Sequence, residues 1–504
     1  MVKSISYIDI YCLKRLYGIR HVTFISLCKL RHVAISYFII ITTVIFFSSC
    51  GDDYDGRKPI YRDFDTIQSE GKLRVLIDFS STSYFIYKGI PQGFEYELLS
   101  NYADFIGVSL EVIPINSLDS IFIELNKGTA DVVAANLTVT EDRKEVVNFS
   151  NPILVTKQVL IQQKPDGWKK LKKKHVNDSL IRSIHELGGK KIVVREKSSF
   201  YNELKNISKE IKHDIDISIV SGEITTEELI EQVSTGEIEY TIADKNIAMV
   251  NQWYYPNIDA EMVIKDHQDI AWAVRNNSDS LLKSINLWLI DFQKTRKFKS
   301  IYTKYFKNQH LVQRRVKDKY YTLESGVISP YDEMIKKYAP AINWDWELLA
   351  ALIYQESHFN NEARGWGESF GLMQFMPVTG ANFGVDTSSS AEQNIIAGTK
   401  YINRLNKIWE QEITDTLERI PFILASYNAG PGHVIDAKNL AEKYKKNPQS
   451  WKEVSFFLLN KSKPKYYKDP VVKHGYCKGF IAYDYVIEIM DRYHHYKNIT
   501  EEAH

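Results

Sequence analysis

The apolar residues of this chain change their period once, and that change divides the molecule. From about residue 70 to 310, short apolar runs alternate with amphipathic stretches; from 327 onward every periodic segment is helical. LRVLID (73–78), LEVIPI (110–115), DVVAAN (131–136), QVLIQQ (158–163), KIVVRE (191–196) and YTIADK (240–245) read as strands, with helices such as EYELLSNYADFIG between them. Such alternation predicts an α/β unit with a mostly parallel sheet in each of two halves. PYDEMIKKYAPAI, WDWELLAALIYQESHF, AEQNIIAGTKYINRLNKIW, LERIPFILASYNAG, GHVIDAKNLAEKY and a last helix from about Lys478 to Tyr493 predict an all-α domain. Asp345 suits the N-cap of the second of these helices, and Gly430 the end of the fourth. The polar, basic stretch 306–326 separates the two patterns, giving domains at 70–310 and 327–497 joined by a linker at 311–326. At 504 residues, 44% hydrophobic and 25% charged, the chain has enough apolar material for more than one core, which excludes a disordered protein. Lys+Arg 64 against Asp+Glu 63 leaves a net charge of +1, so no nucleic-acid partner is expected. The basic run Lys169, Lys170, Lys172, Lys173, Lys174 reads as a solvated face.

The N-terminus predicts export. Val33 to Phe47 is an uncharged apolar run, too short for a comfortable membrane span, preceded by Lys29 and Arg31 and followed by SSCGDDYD. It resembles a bacterial lipoprotein signal, which implies a signal peptide at 1–50, lipidation at Cys50 and a tether at 51–69. A single membrane anchor with an incidental cysteine is the alternative. The acidic DDYD resembles the tether of lipoproteins routed to the outer membrane, so the expected location is the cell envelope, lipid-anchored and facing the periplasm. Of the four cysteines, Cys12, Cys28 and Cys50 fall in the first fifty residues and only Cys477 lies beyond. That spacing offers neither a disulfide framework nor a metal site, and no cofactor is expected.

Two stretches, GFEYELLSNYADFIG and LNKGTADVVAANLTVTEDRKEVVNFSNPI, resemble the extracellular solute-binding proteins that capture amino acids between two α/β lobes. Thr140 can cap a helix whose first turn holds Glu141, Asp142 and Arg143, leaving backbone N–H groups and a guanidinium to receive a carboxylate. The resemblance implies that Thr138 and Arg143 bind the α-carboxylate of an amino acid or muropeptide, that Asp244 meets its ammonium group, and that Tyr84, Phe85 and Phe94 line the cleft. By composition alone, Arg143 reads equally well as an exposed helix arginine.

In LLAALIYQESHF, Leu349, Leu352 and Ile353 form a core-facing stripe, and the next place on it belongs to Glu356. Burial disfavours a charged carboxylate, so Glu356 should be protonated near neutral pH and able to donate a proton. YQESHF, GLMQFMP fifteen residues on from Glu356, and SYNAG resemble the lysozyme-like catalytic domain of the soluble lytic murein transglycosylases. With the preceding modules, the order is similar to that of the membrane-bound lytic murein transglycosylase F family. The resemblance implies a lyase that cleaves the MurNAc-β-1,4-GlcNAc bonds of peptidoglycan to give 1,6-anhydromuramyl products, with a solute-binding module that regulates it. Glu356 would be the catalytic acid and base, supported by Ser357. Met373, Gln374, Tyr427, Asn428 and Tyr485 would bind the substrate.

Alternatives remain for several of these. Met373 could be core, Asn428 could cap a helix end, and Tyr476 and Tyr483 compete with Tyr485. Glu362, Glu368, Asp345 and Glu347 are the nearest other carboxylates in sequence, and none falls where a second catalytic acid is needed. The family often has a serine where this chain has Gly365. A hydrolytic muramidase and a non-catalytic solute or murein receptor are the competing functions; intact Glu356, Gln374 and Asn428 oppose the second.

Overall fold

All six runs that read as strands lie in the sheets of two α/β lobes. The computed structural model describes residues 60–502 apart from 119, 319 and 323–325; the expected signal segment, Cys50 and residues 51–59 of the tether fall outside them. In the first lobe the spatial order is Ser109–Pro114 (β4), Lys72–Ile77 (β1), Val132–Ala134 (β5), Ala273–Val274 (β13), Asn148–Phe149 (β6). In the second it is Ile258–Asp259 (β11), Leu154–Gln163 (β7), Tyr240–Asp244 (β10), Lys191–Arg195 (β8), Asp216–Val220 (β9), with Val263–Ile270 (β12) also on β7. The sheets are mixed rather than mostly parallel. β1 is parallel to β4 and β5, but β13 is antiparallel to β5 and β6. β7 is antiparallel to β10, β11 and β12. The reason is the crossing between lobes: the chain leaves through β7 and returns through β12, and an out-and-back pair is antiparallel.

Two stretches expected to be loose are packed. Phe64–Glu70 (α1) is a helix with Ile67 in the core, and Arg62 ahead of it reaches the fully buried Asp131 at 2.6 Å. The expected linker holds Gln309–Val316 (α2), and Val312, Arg315 and Tyr321 are buried against the first lobe. The Arg315 guanidinium lies 4.3 Å from the centre of the Phe85 ring.

The helical domain is built from Trp346–Ser357 (α3), Ala391–Trp409 (α4), Thr416–Ala429 (α5), Pro431–Lys443 (α6), Trp451–Asn460 (α7) and Gly479–Glu502 (α8). α8 runs further than the sequence suggests and packs on α3, α5 and α7. No helix among the described residues is long and apolar enough to cross a membrane.

Residues from Ile60 onward cluster as one unit, and the last turns of α8 grip the first lobe. The buried Tyr84 hydroxyl and His495 Nδ1 are 2.7 Å apart, and Asn498 donates to the Val112 carbonyl at 2.7 Å. A hairpin, Phe85–Tyr87 (β2) and Ile90–Gln92 (β3), turns through Lys88 (φ 53) and Gly89 (φ 76), a pair of left-handed residues suited to a two-residue turn. The Gly89 carbonyl accepts from the Tyr496 hydroxyl at 2.9 Å, and a Cβ at Gly89 would come within 2.7 Å of the Tyr354 ring. Gly89→Ala therefore combines left-handed strain with a clash, together worth roughly 2–5 kcal/mol. Calorimetry should show a lowered midpoint and separate unfolding of the two halves; an unchanged single transition would disprove a tight docking of this turn.

Candidate active site and ligand cleft

α3 is buried almost all round, with Leu348 to Ile353 at most 1% exposed. Glu356 lies in its last turn and is half-buried. The helix ends on two successive left-handed residues, His358 (φ 51) and Phe359 (φ 58), whose rings lie 4.8 and 5.5 Å from that of Tyr354. Each left-handed residue costs about 1–2 kcal/mol, and the aromatic contacts hold them there.

The Tyr485 hydroxyl, on α8, donates to Glu356 Oε1. Burial pushes the Glu356 carboxyl up to about 7, against the opposing effect of that hydrogen bond. Burial, together with the nearby Glu356 carboxyl, also raises the Tyr485 phenol well above its ordinary value, so it stays a donor. The other carboxylates are elsewhere. Asp345 takes the Tyr493 hydroxyl instead of capping α3, Glu347 takes the Thr500 hydroxyl at 2.7 Å, and Glu362 and Glu368 are exposed. Among the described residues no cluster of three or more His, Cys, Asp or Glu side chains is arranged to hold a metal.

Of the expected sugar contacts, Tyr427 stands beside the acid: its phenol feels the Glu356 charge, its ring is 5.1 Å from Tyr401, and its hydroxyl donates to the Met373 carbonyl at 2.8 Å. Asn428 is exposed next to it. Met373 is a core residue; its side chain is wholly buried against Gly398 of α4. The Gln374 amide is committed to its own loop, donating to the Ala363 and Gly371 carbonyls at 3.2 and 2.9 Å. Ser357 donates to the Ile353 carbonyl one turn back, at 3.1 Å. Gly365 has a reason the sequence did not reveal. A Cβ there would lie 2.4 Å from both Gln374 Oε1 and the Ser369 hydroxyl, and Ser369 donates to Gln374 at 2.7 Å. The loop thus carries its hydroxyl on residue 369 rather than 365.

A second site lies between the α/β lobes. Thr138, Arg143 and Asp244 line one cavity together with Asp78, Asn136, Arg195 and Glu227. Thr140 caps the short helix as expected, accepting from the Arg143 N–H at 3.4 Å, and the guanidinium donates to the Thr138 carbonyl at 2.8 Å. Asn136 donates to Asp244 Oδ2 at 3.0 Å, whereas Asp244 Oδ1 is buried without a partner. Burial raises Asp244 to about 7 and lowers Arg143 to about 10, and it also raises Asp78 and Glu227. Asp78, Arg195 and Asp244 were legible in principle: each stands at the carboxyl end of an apolar strand run, where open α/β sheets bind ligands. Glu227 carried no such signal. Tyr84, Phe85 and Phe94 do not line the cavity. All three are at most 1% exposed: Tyr84 bonds His495, Phe85 lies against Tyr305 and Tyr321, and Phe94 against Phe306.

The environment of Glu356 generates a titration. Carbon-13 NMR of labelled glutamate should find a carboxyl with a midpoint near 7 that disappears in Glu356→Gln, while the buried Glu95, raised to about 7 as well, stays in place. Because Tyr485 favours the ionised form, Tyr485→Phe should move that midpoint upward. A midpoint in the ordinary glutamate range would mean the carboxyl is solvated.

Comparison with known proteins places both halves. Residues 73–308 match the bacterial extracellular solute-binding proteins, family 3, and residues 333–450 match the transglycosylase SLT domain. An ancestral arginine-binding protein bound to arginine is 25% identical over 47% of this chain and 98% of its own, with a TM-score of 0.40. Membrane-bound lytic murein transglycosylase F of Saccharophagus degradans is 30% identical, covering 84% of this chain and 82% of its own length. The protein of the same name from Desulfosudis oleivorans is 35% identical over 85% of this chain and 90% of its own. With both modules matched in order and this identity sustained across most of its length, the chain belongs to the membrane-bound lytic murein transglycosylase F family.

Proposed function

We propose that the chain cleaves the MurNAc-β-1,4-GlcNAc bond of peptidoglycan without water, leaving a 1,6-anhydromuramyl end. The observation that carries this reading is Glu356, a carboxyl raised to about 7 that receives the Tyr485 hydroxyl. As the neutral acid, Glu356 gives its proton to the glycosidic oxygen while the bond from that oxygen to C1 of MurNAc breaks. As the carboxylate, it then takes the proton of the MurNAc C6 hydroxyl, whose oxygen closes on C1. Tyr485 steadies the carboxylate between the two steps. A retaining or inverting hydrolase needs a second carboxylate roughly 5 to 9.5 Å from the first, and Asp345, Glu347, Glu362 and Glu368 are bonded elsewhere or exposed. Tyr427 and Asn428 would bind the sugar beside Glu356, with Gln374 and Ser357 holding the loop and the helix end that shape the site. The apolar run before Cys50 supports lipid anchoring there, and the acidic DDYD after it supports an outer-membrane location facing the periplasm.

Murein digested with the protein should yield muropeptides lighter by one water than hydrolysis products, read by mass spectrometry. Glu356→Gln should remain folded and lose a factor of ~10² to 10⁴ in turnover. Reducing MurNAc ends as the sole product would favour a muramidase.

The α/β module reads as a sensor of an amino acid or muropeptide, with Arg143 and Thr138 for the carboxylate and the unpartnered Asp244 oxygen for the ammonium group. α8 joins the two functions physically: Tyr485 touches Glu356, and His495 and Tyr496 hold the first lobe. Ligand binding that shifts the lobe would then shift murein cleavage, and linkage requires murein to change ligand affinity by the same factor. Calorimetry and cleavage assays with free amino acids and murein stem peptides test this. Arg143→Ala should abolish both binding and its influence while basal cleavage persists; binding with no change in cleavage would make the module a docking platform.

A further inference from the structure

Trp366 is 91% exposed, whereas the other eight tryptophans are buried or half-buried. Its turn is built to hold it outward. The Gly365 N–H donates to the Ser369 carbonyl at 2.9 Å, Gly367 (φ 66) and Glu368 (φ 64) are left-handed, and Met376 fills the space under Gly367. Met376 and Val378, 42% and 78% exposed, add apolar surface on the same loop. A large apolar ring left in water gains free energy when a partner covers it.

The surroundings say which partner. Gly365 abuts Gln374, the residue after Met373, whose carbonyl takes the hydroxyl of Tyr427 beside Glu356, so the turn lies on the same side of the domain as Glu356. Glu362 and Glu368 expose two carboxylates on the same loop, and the Arg364 guanidinium is given to the Glu362, Ala363 and Thr387 carbonyls. That charge disfavours an anionic lipid surface. An uncharged pyranose ring, with its face of C–H bonds, suits the indole. We propose that Trp366 is a stacking platform for a GlcNAc ring of the glycan strand, the neutral sugar of the repeat, at a subsite beyond the cleaved linkage. This rests on the reading of Glu356 as the acid of a glycan site.

The test uses the full chain carrying Glu356→Gln, so that bound glycan is not cut, and peptide-free murein glycan strands as the probe. Calorimetry should show Trp366→Ala weakening binding about ten-fold, or ~1.4 kcal/mol, with Trp366→Tyr restoring most of it and Trp366→Leu little. In the active protein, Trp366→Ala should raise KM by the same factor and leave kcat unchanged, as expected for an interaction made equally in ground and transition states. Thermal midpoints should not move, since the ring touches so little of its own protein. If the glycan binds the parent but Trp366→Ala binds as tightly, or Leu serves as well as Tyr, the platform is wrong. If the glycan fails to bind the parent at all, the reading of Glu356 as the acid of a glycan site fails first. Loss of sedimentation with phosphatidylglycerol vesicles while glycan affinity is unchanged would make Trp366 a membrane contact and overturn the proposal.

Discussion

The hydroxyl of Tyr485 on the carboxyl of Glu356 joins two helices that the chain separates by more than a hundred residues. Neither group would have its chemistry alone. Without its burial Glu356 would be an ordinary ionised glutamate, and without Tyr485 it would have no hydrogen-bond donor from α8. The same α8 that supplies Tyr485 ends against the first lobe through His495, Tyr496 and Asn498. The acid and the binding module are therefore supported by one continuous rod. Tyr354, two residues before Glu356, makes the connection double, since its ring lies under the Gly89 turn and also against His358 and Phe359.

Burial acts on the cleft carboxyls as it does on Glu356: it raises Asp78, Glu227 and Asp244, and of these Glu227 is bonded by Ser81 whereas Asp244 keeps one buried oxygen without a partner. A carboxyl whose pKa is raised on folding stabilises the fold below its unfolded value and loses that contribution as pH rises through the raised one. For Asp244 that loss begins in the ordinary aspartate range and is complete once pH has passed about 7. An ammonium group beside the unpartnered oxygen would lower that pKa again. The lobes already touch through Ser81 and Glu227 at 2.6 Å, and through Arg195 and the Asn116 carbonyl at 2.7 Å.

Much of this was legible because it rests on period and local chemistry. The six strands, the long α4 and the Glu356 stripe follow from apolar spacing, which a chain displays whether or not it is folded. Thr140 as a cap was legible because a cap acts within three residues. Asp345 failed by the same logic: its local geometry suits a cap, but Tyr493 competes for it from the far end of the sequence. Tyr84, Phe85 and Phe94 look like cleft aromatics because an aromatic near a binding motif carries no mark of which way it faces.

The sequence by itself determined two domains of different period, the acid on a buried helix, and the arginine and aspartate that meet in the cleft. Tertiary structure alone decided that Met373 is core, that Ser369 occupies the place a side chain at residue 365 would need, and that Val312, Arg315 and Tyr321 are buried against the first lobe. It also decided which tyrosine reaches Glu356. Spacing along a chain fixes which residues share a face, but the contact between two faces depends on how distant helices cross, and no local pattern encodes that crossing.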